Sequence, residues 1–345
     1  MTQAARNYTM DAIKALAIFL VVYCHCIKYI GDYDYWNNPI WQVIYTFHMP
    51  LFFVVSGFFF PSARKLGWKD FLLRKSIALM LPCLVWTILF SCMHFPGWSA
   101  FLHKVANPFH WDLWFLKGLF LVQLVVYTLI KITKHLKLRH PLWIAATLSM
   151  VVYFLPFMSV PRVMIPMLWI GYFIRVHYDW FKKHYLWIAL IAITGYLILF
   201  PYWTSEIQEM YGGANVKIIS VLLGKTDVGM LIKLGYRILI GAFGSVAIIA
   251  ALHVLKKVPQ WISVMGSSTA AIYILQSLVL EDLIGNHVAP YSSFISICPG
   301  WVVFSVIYLI ITMLMIFLCI GLRWLIDKNM VLSMMLLGNT SICKK

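Results

Sequence analysis

Three ionisable residues sit at the two ends of one apolar run, DAIKALAIFLVVYCH, residues 11–25. Asp11 and Lys14 stand near its start and His25 closes it. Asp11 precedes Lys14 by three residues, a spacing at which side chains on a helix meet. Lys14 and His25 are eleven residues apart. At ~100° per residue that is about 1,100°, within ~20° of three full turns, so both share one face. At ~1.5 Å per residue they lie roughly 16 Å apart along the axis, half a hydrocarbon core. The chemistry on offer is proton transfer by imidazole, which exchanges protons near neutral pH, at one depth and charge placement at another. The plainer account is a snorkelling Lys14 with Asp11 as its partner, and a His25 satisfied near the opposite interface. Ionisable groups in a span point to function when they face a bundle interior. The rest of the chain must decide that.

The next apolar run ends FHMPLFFVVSGFFFPSARK. His48 enters it two residues before Pro50, which frees backbone groups that must be satisfied inside a bundle. Ser56 and Gly57 permit close packing or a kink. The densest basic patch follows at once: Arg64, Lys65, Lys69, Arg74 and Lys75. Such a patch suits a polyanionic ligand, for example a nucleotide-bearing cofactor. Further on, HWDLWFLKGLF sets Asp112 and Lys117 around Trp111 and Trp114. MGSSTAAIYILQSLVLED carries Gln276 as a lone mid-span amide, and Arg237 lies within another span. A bundle with these groups is more than a passive anchor.

The elements that must position them follow from composition. Of 345 residues, 62% are hydrophobic and 12% charged, which excludes a soluble domain. Continuous helical-length runs exclude an outer-membrane barrel, whose strands alternate over ~10 residues. The first run has no small-residue cleavage site after it and reads as a retained span. Ten spans are expected, near 11–30, 41–60, 76–95, 111–131, 141–157, 162–176, 185–203, 229–254, 261–283 and 299–322. The fifth and sixth are short and divided by Pro156 and Pro161. The fold class is therefore all-α, a polytopic membrane helical bundle forming one transmembrane domain over 1–345, with no separate soluble domain.

With the N-terminus in the cytoplasm, nineteen of the 28 Lys and Arg fall on inner loops and tails. Six fall outside (Lys28, Lys104, Arg162, Lys217, Lys225, Lys233) and three in spans (Lys14, Lys117, Arg237). This bias puts both termini inside and accounts for most of the net charge of +16 without nucleic acid. Acids instead mark the outer loops, Glu281 and Asp282 among them. Trp and Tyr crowd the expected outer interface, as an aromatic belt or a carbohydrate-stacking platform. The seven cysteines are scattered. Cys24, His25 and Cys26 point ~100° apart in turn and cannot converge on one ion, so no metal is expected.

Several of these stretches, in this order, resemble bacterial acyltransferase family 3, integral-membrane O-acyltransferases that modify glycans. The resemblance begins with DAIKALAIFLVVYCH and FHMPLFFVVSGFFF. It continues through RKSIALMLPCLVW, WDLWFLKGLF, PMLWIGYFI and MGSSTAAIYILQ, over about residues 8–325. It implies a ten-span domain that takes an acyl group, acetyl first of all, from cytoplasmic acyl-CoA and delivers it to a sugar hydroxyl at the outer face. His25 matches the family's proposed catalytic histidine and Lys14 its paired basic residue, usually Arg. Arg74 and Lys75 match the basic motif held to bind the CoA phosphates. Gln276 stands where many relatives have His.

The expected site therefore has His25, Lys14 and Asp11 as catalytic residues. His25 acts as general base or transient acyl carrier, and Asp11 and Lys14 hold geometry or line the CoA channel. Arg64, Arg74 and Lys75 hold acetyl-CoA, and His48, Ser56, Trp114 and Gln276 line the substrate cavity. The expected partners are acyl-CoA, a glycan or lipid-linked sugar, the bilayer and, in a homodimer, a second copy. The expected location is the bacterial inner membrane. A secondary transporter or flippase for a glycan or small anion, with Lys14 and His25 as a proton relay, uses the same polar spans. Dependence on acyl-CoA separates the two.

Overall fold

A computed structural model of the chain describes residues 8–30, 35–152, 163–204, 206–207, 228–255, 257–285 and 301–340, the last with side chains from 305. The Pro156–Pro161 break, most of the outer segment 204–228, and Asp32, Tyr33, Asp34 and His287 lie outside the described residues. So do Arg6, Arg162, Lys217, Lys225, Lys256, Lys344, Lys345, Cys298 and Cys343.

In chain order the helices are α1 (Tyr8–Ile30), α2 (Pro39–Ala63), α3 (Trp68–Lys75), α4 (Leu81–Met93), α5 (Trp98–Ala106), α6 (Trp114–His135), α7 (Pro141–Val152), α8 (Met164–Val176), α9 (Tyr178–Leu199), α10 (Val228–Leu252), α11 (Gln260–Ser267), α12 (Thr269–Gln276), α13 (Trp301–Ile326) and α14 (Met330–Leu337). Two stretches wind as π-helix, Ser76–Met80 between α3 and α4 and Ser277–Ile284 after α12. No strand occurs among the described residues. Seven helices are long and apolar enough to cross a membrane, and α11 with α12 and its π-helical continuation forms an eighth, bent by 64°. α7 and α8 are apolar but have 12 and 13 residues. At ~1.5 Å per residue each reaches roughly 20 Å, short of a ~30 Å core. Each of the ten expected spans thus overlaps a helix among the described residues, and the fold is an all-α polytopic bundle.

The chain divides into two compact units. The first comprises Met1–Val55, His177–Gln208 and Leu239–Ile326. α1 is its hub, packed against α11, α12, the second π stretch and α13. The hub is close-fitting because Gly266 of α11 has no side chain: a Cβ there would overlap the Asp11 carbonyl. α13 holds α1 from another side, where the Tyr23 hydroxyl donates to the Ser305 carbonyl (3.2 Å) and Thr312 donates to Cys26 Sγ (3.5 Å). Cys24 and Cys26 are buried core residues. α9 is the opposite kind of helix. Its Leu186, Trp187, Leu190, Ile191, Leu197 and Ile198 are each more than half exposed, a large apolar face suited to lipid.

The second unit comprises Ser56–Val176, Glu209–Ile238 and Asp327–Lys345. α6 packs on α7, α8 and the first π stretch, and α14 packs on α4. Trp86 Nε1 donates to the Leu336 carbonyl at 2.9 Å. Gly57 repeats the device of Gly266, since a Cβ there would overlap the Leu168 carbonyl of α8. Arg237 is fully buried in this unit.

Candidate active site

Within the first unit, His25 meets Gln276. Their Nδ1 and Oε1 atoms are 2.6 Å apart. The neighbours of Gln276 fix which way its amide points. Nε2 faces the Tyr273 carbonyl (3.2 Å), Ser277 Oγ (3.1 Å) and Glu281 Oε1 (3.3 Å). A carbonyl and a carboxylate only accept hydrogen bonds, so the NH₂ group must lie on that side and Oε1 toward the histidine. An oxygen acceptor against Nδ1 requires the proton there. Nε2 therefore carries the lone pair, and among the described residues it has no partner.

Glu281 joins the same cluster. Its Oε1 is 3.3 Å from His25 Nδ1 and accepts from the Ser277 hydroxyl at 2.9 Å. Tyr29 sets its ring edge-on to His25, with centroids 5.8 Å apart, and lies within electrostatic range of Glu281. The π-helical turn makes this possible. Gln276 and Glu281 are five residues apart. On an α-helix five steps rotate a side chain to about 140° away, whereas the i→i+5 winding of a π-turn returns it to one face. The His25 and Glu281 side chains are 23% and 36% exposed, so the cluster is open enough for a substrate to reach.

At the other end of α1, Lys14 Nζ and Asp11 Oδ1 form the expected pair at 3.0 Å. Asp11 is buried and lies under Gly266, and near the α11–α12 bend Arg323 donates to Ser268 Oγ. His48 is buried in α2. Its Nδ1 donates to the Ile44 carbonyl at 2.9 Å, and its ring lies 5.4 Å from that of Tyr45.

In the second unit, Ser56 Oγ accepts from Gln123 Nε2 at 2.7 Å. Arg74 and Lys75 end α3, directly before the first π stretch. Arg64 lies with its guanidinium carbon 5.4 Å above the Tyr172 ring, and its Nη1 is buried with no hydrogen-bond partner among the described residues. A buried guanidinium edge with an unused donor fits an anionic oxygen, as a phosphate-bearing donor requires. Trp114 begins α6, 43% exposed, against Phe115. Lys117 Nζ donates to the Phe109 and Trp111 carbonyls at 2.7 and 2.8 Å, while Asp112 pairs with Lys104 at 2.8 Å.

The sequence thus pointed to His25 and Gln276 separately, without the bond between them. In the sequence alone Glu281 reads as a loop acid, and neither Tyr29 nor Ser277 stands out. The signal in the sequence is an acid five residues after a lone mid-span amide, a spacing that shares one face only on a π-turn.

A family model described as an acyltransferase domain matches residues 7–324. The Nodulation protein NolL of Mesorhizobium japonicum is 24% identical over 302 residues, covering 81% of this chain and 78% of that protein. The Nodulation protein NolL of Sinorhizobium fredii is 28% identical over 130 residues, covering 34% of this chain and 36% of that protein. No solved structure matches.

Proposed function

The chain belongs to this acyltransferase family, and from that premise we propose that it transfers an acyl group, acetyl first of all, from cytoplasmic acyl-CoA to a hydroxyl of a cell-surface or lipid-linked glycan. The location in this reading is the bacterial inner membrane. The observation that carries it is the 2.6 Å contact of His25 Nδ1 with Gln276 Oε1, which, with the amide oriented by its neighbours, assigns the proton to Nδ1 and leaves Nε2 as a base.

The thioester of the donor supplies an activated carbonyl. His25 Nε2 takes the proton of the acceptor hydroxyl as that oxygen attacks. The ring's positive charge is then stabilised by Glu281, 3.3 Å from Nδ1. His25 returns the proton to the departing sulfur. Gln276 keeps the imidazole in register throughout, the role a third group plays in any nucleophile–base–orienter arrangement. Arg64, Arg74 and Lys75 hold the donor's phosphates, and Asp11 and Lys14 hold the inner end of α1. His48, Ser56 and Trp114 line the path of the substrates.

General-base catalysis contributes about 10²–10⁴-fold. The His25→Ala protein is expected to insert and purify normally and to lose transfer of labelled acetyl from acetyl-CoA to membrane glycan by that factor. Transfer at the wild-type rate would remove His25 from the mechanism.

A further inference from the structure

The positive-inside bias accounts for basic loops whose head groups stand in water. One part of the second unit does not fit that account. Arg64 Nη1 is buried, and so is the hydroxyl of Tyr172, whose ring lies under the Arg64 guanidinium. Neither atom has a hydrogen-bond partner among the described residues. Leaving a buried donor unmet is costly, more so when it is charged, so both groups call for an acceptor.

The surroundings say what charge that acceptor carries. Lys131, on α6, donates to the Leu66 carbonyl at 3.1 Å, two residues beyond Arg64, and that carbonyl also takes the Tyr127 hydroxyl at 2.8 Å. Lys131 has two donors left. Arg64 and Lys131 are both within Coulombic range of Lys134, one helical turn on, which is exposed. None of the three cations forms an ion pair among the described residues, and Asp70, the acid nearest to Arg64 in sequence, is exposed. Three cations without an ion pair among the described residues, within Coulombic range of one another through Lys134, and the unmet donors of Arg64 and of the Tyr172 it overlies suit a multiply charged oxyanion. A guanidinium offers the flat fork, a phenol one further donor, and the ammonium groups the neutralising charge.

We propose that Arg64, Tyr172, Lys131 and Lys134 form a phosphomonoester-binding site. Its occupant is either the 3′-phosphate of acyl-CoA or the monoester phosphate of phosphatidic acid. The chemistry of the site stands on these four side chains, and its assignment to the donor rests on the acyl-CoA reading above.

The test uses the full chain in nanodiscs of neutral lipid, titrated with CoA and with 3′-dephospho-CoA. If the donor fills the site, CoA binds about tenfold or more tightly than its dephospho form, as expected of a charge-assisted contact. Tyr172→Phe, which keeps the ring, and the double variant Lys131→Gln, Lys134→Gln then each reduce that ratio toward one. If a lipid fills the site, wild-type protein from membranes containing phosphatidic acid retains that lipid in native mass spectrometry, and Arg64→Gln and Tyr172→Phe release it. Lipid retention of this kind with no binding of CoA keeps the phosphate site and removes the donor reading. A CoA preference and a lipid retention both untouched by these substitutions overturn the proposal.

Discussion

Gln276 grips the edge of His25 opposite the one that does the proposed chemistry. Its oxygen fixes the Nδ1 proton, and its nitrogen is fixed in turn by Tyr273, Ser277 and Glu281. Partners of this kind contribute through orientation, and removing one from a catalytic or metal-bound histidine typically costs 10–100-fold. Gln276→Leu is therefore expected to lower kcat by about 10–100-fold while the KM for the acyl donor holds. Steady-state kinetics on purified protein separates this from loss of binding, which would raise KM at constant kcat. The residue types were legible in the sequence: an imidazole ending a membrane helix and one amide amid apolar residues. Their 2.6 Å bond was not, because they lie 251 residues apart and no spacing rule spans that distance.

At the scale of elements, two glycines decide how closely helices approach. Gly266 brings α11 onto the α1 backbone at Asp11, and Gly57 brings α2 onto α8 at Leu168. In both cases the clash on adding a methyl is with backbone, which has no rotamer to change. Gly266→Ala and Gly57→Ala are each expected to destabilise by about 1–3 kcal/mol, the usual cost of overpacking. Gly321→Ala is the control. A Cβ there meets nothing within 4 Å, and the change should stay within about 0.5 kcal/mol. Thermal unfolding in detergent reads all three, and equal shifts at Gly321 and Gly266 would refute the packing argument. The small-residue run MGSSTAAIYILQ announced close packing in the sequence. The π-turn that follows it did not show, since apolar periodicity near 3.6 persists through one such turn while the polar faces rotate.

For the whole molecule, the apolar face of α9 and the alternating Lys and Arg loops describe a chain built for lipid with a fixed orientation. Replacing Cys92, Cys298 and Cys343 by Ser leaves the buried Cys24, Cys26, Cys83 and Cys319. On that background, a membrane-impermeant maleimide applied to intact spheroplasts should label Ser99→Cys and spare Lys65→Cys until the membrane is opened. Both positions are exposed. The reverse pattern would invert the assignment of donor and acceptor sides.

What the sequence determined by itself is what depends on local composition and one-dimensional periodicity. Ten apolar segments, their helical nature, the orientation bias and the Asp11–Lys14 pair all follow from residues within a few turns of each other. The tertiary structure decided which polar groups share one place. It made α1 the hub of the first unit, turned Glu281 from a loop acid into a neighbour of His25, and left Arg64 and Tyr172 with donors unmet among the described residues. Those facts depend on helix rotation and on backbone-to-backbone approach at single glycines. A membrane span's apolar sequence barely encodes either, because most of its side chains are equally at home against lipid or protein.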